Sequence, residues 1–150
     1  MKIPVVILVL TVTFLLVSGC MAPAASVTPA GPDEQFRQAW QKSEDRTMRY
    51  AIAMTNITDL QSSAELSEEM IRDIDNTMEG ISGLNVSMNY TPIKQEYLTA
   101  LDYLRLTCVD IISASHANTA DEAQEFINSA TGNLKQANLH MVWVRQKMPS

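Results

Sequence analysis

The chain has 150 residues, 46% of them hydrophobic and 19% charged. That is room for one domain with a core of its own and too much apolar material for a disordered protein. Its formal net charge is −6, a sign that repels phosphate backbones and anionic lipid, and no basic stripe offsets it, so nucleic-acid binding is excluded as an expectation.

The first segment reads Met1-Lys2, an apolar run from Ile3 to Val17, then Ser18-Gly19-Cys20. One positive charge, about 15 apolar residues and a small-residue exit form the pattern of a secretory signal peptide, and fall short of the ~20 residues that a membrane-spanning helix needs. Val17-Ser18-Gly19-Cys20 resembles the lipobox of bacterial and archaeal lipoproteins. The resemblance covers the leader alone. It implies cleavage before Cys20, lipid attachment to the Cys20 thiol, and a body facing outside the cytoplasm on the cell membrane. An uncleaved signal anchor, with the run continuing loosely through Ala25, is the alternative and gives the body the same address. Cleavage removes Lys2 and leaves 17 acidic against 10 basic residues, so membrane attachment has to come from the leader.

Residues 20–32 hold three prolines among small residues and are expected to be a disordered, flexible tether. The helical domain is expected over 33–150. Asp33 is the expected N-cap of its first helix, followed by Phe36, Trp40, Thr47, Ala51 and Met54 at helical spacing. This stripe is the least regular of the four. A polar break at Gln61-Ser62-Ser63 and a capping box, Ser62-x-x-Glu65, introduce the second helix, with Leu66, Met70, Ile74, Met78 and Ile81 on one face. Gly80 and Gly83 are expected to stop it, leaving Gly80 to Thr91 as the longest loop.

Thr91-Pro92 offers a capping hydroxyl and a proline at the first helical position. Ile93, Tyr97, Leu101, Leu104, Cys108 and Ile111 then form the stripe of a third helix, which loses register at His116. Thr119-x-x-Glu122 is a further capping box, and Ala123, Ile127, Ala130, Leu134, Ala137, Met141, Val144 and Met148 make the cleanest stripe. Four amphipathic segments with short connections predict an all-α fold, a four-helix up-and-down bundle. Two arrangements stay open beside it: helices one and two running together, or a hairpin that dimerises.

Chemistry is sparse. Neither His116 nor His140 has Glu three residues before it, so the Glu-x-x-His pattern of bundle metal sites is missing, and no metal or other cofactor is expected. Cys108 falls on a buried stripe and reads as a small apolar side chain. The methionines occupy positions where Leu would serve. No Ser-His-Asp order, phosphate loop or nucleophile elbow is present, and an enzyme is not expected. Asn56-Ile57-Thr58, Asn85-Val86-Ser87 and Asn89-Tyr90-Thr91 are sequons. Asn85 and Asn89, in the long loop, are the better glycosylation candidates, Asn56 being expected inside a helix.

Two functions suit such a body, and the first is the one expected, the second its alternative. One is a protein-interaction module that docks an envelope protein or itself, with Tyr50, Tyr103 and Trp143 at the stripe edges as the candidate surface. The other is a sensor-like bundle that holds a small or apolar molecule between its helices. A closed core favours docking, and a pocket lined by Met and aromatic residues favours ligand capture.

Overall fold

The computed structural model describes residues 30–149. Residues 1–29, and with them the leader, Cys20 and most of the tether, lie outside the described residues. Four helices follow one another: α1 (Pro32–Thr55), α2 (Leu60–Ser82), α3 (Thr91–Ser115) and α4 (Ala120–Lys147). The fold is an all-α four-helix bundle.

Side-chain bonds fix the direction of each neighbour. Tyr50 reaches Asp73 and Arg46 reaches Thr77 across α1 and α2. Arg105 meets Asp75, and Lys94 meets the carbonyl of Ser82, across α2 and α3. His140 meets Glu96, and Asn133 meets Asp110, across α3 and α4. In each pair one partner's number rises as the other's falls, so successive helices are antiparallel. The short connections demand this.

Helix boundaries depart from expectation at four places. Pro32 opens α1 with Gly31 as N-cap, because proline suits the first turn. Asp33 moves into that turn and accepts a hydrogen bond from the Ser87 N–H at 2.7 Å. The second helix starts at Leu60, capped by Asp59, whose Oδ1 accepts from the Ser62 N–H at 2.8 Å. A carboxylate one turn upstream thus takes the role expected of Ser62. Gly80 does not stop α2, which runs to Ser82 with Gly83 as C-cap. The cap at Thr119 is as expected: its hydroxyl accepts from the Glu122 N–H, while Glu122 reaches back to the Asn118 N–H. Tyr90, not Thr91, takes the cap position of α3, without a side-chain cap.

The core is built unequally. On α3, Ile93, Tyr97, Ala100, Leu101, Leu104, Cys108 and Ile111 are all buried, and α4 contributes Ala123, Ala130, Ala137, Met141 and Val144. The buried residues of α1 are only Phe36 and Ser43. Phe36, fully buried, sets its ring edge-on to Tyr90 and Tyr97, at centroid distances of 6.1 and 6.2 Å. One anchor of that size contributes about 1.5–3 kcal/mol by burial, and it holds α1 at its start. Further along, Trp40 Nε1 and Arg46 Nε are buried without a hydrogen bond among the described residues. Each such group costs about 1–3 kcal/mol in desolvation. α1 is therefore the least firmly seated helix.

Candidate apolar ligand site

Where α1 fits poorly, space remains. Thr47 and Ala51, four residues apart on α1, both face the gap, and such small side chains cannot fill it toward α3 and α4. The result is a cavity of about 130 Å³. Ala51 and Met54 line it from α1, Met70 from α2, Leu104, Cys108 and Ile111 from α3, and Leu134 and Met141 from α4. Thr47 and Thr107 also line it, but their hydroxyls donate to the Ser43 and Tyr103 carbonyls of their own helices. The interior thus offers few polar partners.

Polarity gathers at the rim. Glu44, Thr55, Thr131, Asn138 and Arg145 also line the cavity, and all five are half-buried or exposed. Arg145 bonds Glu44 across the gap at 2.9 Å, tying the last turn of α4 to the middle of α1. An apolar chamber of this size suits a compact apolar group: cavities of about 150 Å³ lined by aliphatic side chains stay dry and admit benzene. Three methionines in the wall (Met54, Met70 and Met141) add adaptability, because the unbranched thioether reshapes itself around a guest.

Cys108, at the cavity floor, is 2% exposed. Burial pushes its thiol up to about 12, with a hydrogen bond to Ser67 opposing the shift. It is therefore a wall element and no nucleophile at neutral pH. Tyr50 also lines the cavity and donates to Asp73 Oδ2 at 2.9 Å. Burial, then the bond to Asp73, raises its hydroxyl to about 12.

The other residues singled out from the sequence are dispersed. Tyr103 stacks on His140 at 5.6 Å along the α3–α4 seam, and Trp143 is half-buried against the core. Tyr50, on the α1–α2 side, does not join them in an exposed aromatic cluster. Asn85 and Asn89 are exposed in the α2–α3 connection. Asn56, expected inside a helix, instead caps α1 at its C-terminal end and is exposed. His116 is exposed and bonds the carbonyl of Ile112. Among the described residues no three His, Cys, Asp or Glu side chains are placed to hold a metal ion, and no helix is long and apolar enough to cross a membrane.

Glu44, Asn138 and Arg145 are the site residues that sequence reasoning passes over. The signal for them was the pair of small inward residues on α1, since Thr47 and Ala51 facing Leu and Met mark a gap. No family model, curated protein or solved structure matches the chain. The cavity itself is the guide to function.

Proposed function

We infer that this chain is an extracytoplasmic lipoprotein, held on the cell membrane by lipid on Cys20, whose bundle binds a small apolar molecule. The observation that supports ligand capture is the apolar cavity between α1 and the α3–α4 pair. The anchor rests on the lipobox resemblance. The ligand class is a compact apolar group, aromatic or aliphatic, with any polar end held at the rim by Glu44, Asn138 and Arg145. The bundle works as a binding module, with Cys108 a buried, protonated element of the cavity wall. Partners are then the membrane, through the lipid, and the small molecule.

Protein purified from native membranes tests both parts. Intact mass should give a chain beginning at Cys20 with added lipid, lost on Cys20→Ser; a full-length unmodified chain contradicts the anchor. Solvent extraction of the denatured protein should release an apolar compound in near-stoichiometric amount, and an empty extract from protein never exposed to detergent argues against capture.

A second reading, docking of an envelope protein or self-association, draws on a different observation. Leu139 and Val142, one turn apart on α4, are 58% and 48% exposed, on the side of the helix away from Ala137 and Met141. Charge substitution there, Leu139→Glu with Val142→Glu, should abolish any native complex under this reading and leave ligand binding untouched.

A further inference from the structure

The three sequons all touch connections between helices, but the structure makes them unequal. Asn56 ends α1 with right-handed helical backbone, and its Nδ2 donates to the Ile52 carbonyl at 3.1 Å. In Asn89-Tyr90-Thr91, the Tyr90 ring packs edge-on to Phe36, and the Thr91 hydroxyl donates to the Ser87 carbonyl in the first turn of α3. Both have part of the acceptor engaged.

Asn85-Val86-Ser87 differs from them in each respect. Its backbone is neither helix nor turn, Asn85 and Ser87 are exposed, and Val86 is half-buried against the core. Neither the Asn85 amide nor the Ser87 hydroxyl makes a hydrogen bond among the described residues. The adjoining Met88 is 91% exposed, so the segment stands out from the bundle. An acceptor amide and the hydroxyl two residues on are thus both presented on a surface loop, the setting in which such a sequon is modified.

We propose that Asn85 is an N-glycosylation site, taking its oligosaccharide from a lipid-phosphate-linked donor. Asn85 Nδ2 forms a bond to the anomeric carbon of the sugar. The bond from that carbon to the phosphate oxygen breaks, and the lipid phosphate leaves as the amide gives up one proton. Ser87 N–H bonds Asp33 at the start of α1, so the glycan stands at the end of the bundle where the tether arrives. Asn85 has no part in the cavity wall, and the ligand's route stays open. The site rests on the export reading, because the donor and its transferase act outside the cytoplasm.

The test is intact mass and peptide mapping of the full chain purified from its native cells, as wild type, Asn85→Gln and Ser87→Ala. The expected result is a carbohydrate increment on the peptide containing Asn85, lost completely in both variants. Asn76→Gln, at an exposed helical asparagine followed by Thr77-Met78 and so outside any sequon, should keep it. A wild-type Asn85 without carbohydrate overturns the proposal, as does carbohydrate that survives both variants on Asn56 or Asn89. The same spectra report lipid on Cys20: an unmodified Asn85 on a lipidated chain overturns glycosylation alone, whereas a retained residue 1–19 segment overturns the lipid anchor and leaves export standing.

Discussion

Arg145 and Glu44, both in the lining of the cavity, meet at 2.9 Å and join the end of α4 to the middle of α1. The two side chains are 36% and 21% exposed, so solvent screens the pair and it contributes no more than about 1 kcal/mol. Its role is positional, since it closes the side of the bundle on which α1 is thinly packed. Arg145→Ala should therefore lower stability only slightly while loosening α1. Hydrogen exchange checks this: amides of residues 44–55 should exchange faster, with α3 protection unchanged. Equal acceleration throughout the bundle would contradict the assignment.

Phe36 should behave differently. Its ring is the fully buried anchor of α1, and Phe36→Ala should cost about 3–5 kcal/mol. Limited proteolysis should then cut first within α1. Denaturant titration of the variant gives the magnitude, and a loss under about 1 kcal/mol would show that α1 is held elsewhere.

The contrast between these two residues explains what the sequence made legible. On α3 every expected stripe residue from Ile93 to Ile111 is buried, because bulky residues at helical spacing must find a core. On α2 the pattern holds at Met70, Ile74 and Ile81. Cap positions shifted where a stronger group lay one turn away, as Asp59 displaced Ser62. On α1, spacing identified Thr47, Ala51 and Met54 as inward-facing, but periodicity says nothing about how closely two helices approach. The cavity depends on that approach, as does the meeting of Glu44 with Arg145, residues 101 positions apart. Long-range pairing of surface charges leaves no mark in local sequence.

Cys108 supplies a pH prediction. Burial raises its thiol from 9.0 to about 12, so the native state keeps a proton that the unfolded chain releases near pH 9. Its contribution is fully present below pH 9 and is lost as pH rises toward 12, at roughly 1.4 kcal/mol per pH unit. Tyr50, raised from 10.0 to about 12, adds in the same direction. Denaturation midpoints should fall steeply above pH 9, and Cys108→Ala should flatten that fall. A thiol reagent at pH 8 should leave Cys108 unmodified until the protein unfolds, and prompt labelling of the native state would refute the burial.

The central claim is that the space beside α1 receives an apolar molecule, and thermal unfolding with and without small aromatic and aliphatic ligands tests it most directly. At a ligand concentration about 100-fold above Kd, binding adds about 2.7 kcal/mol, enough to raise Tm by about 10 °C in a domain of this size. Ala51→Phe places a ring in the cavity from a half-buried wall position and should abolish that rise without lowering the variant's own Tm. A wild-type Tm that no apolar ligand moves, or an equal rise in Ala51→Phe, would contradict the account.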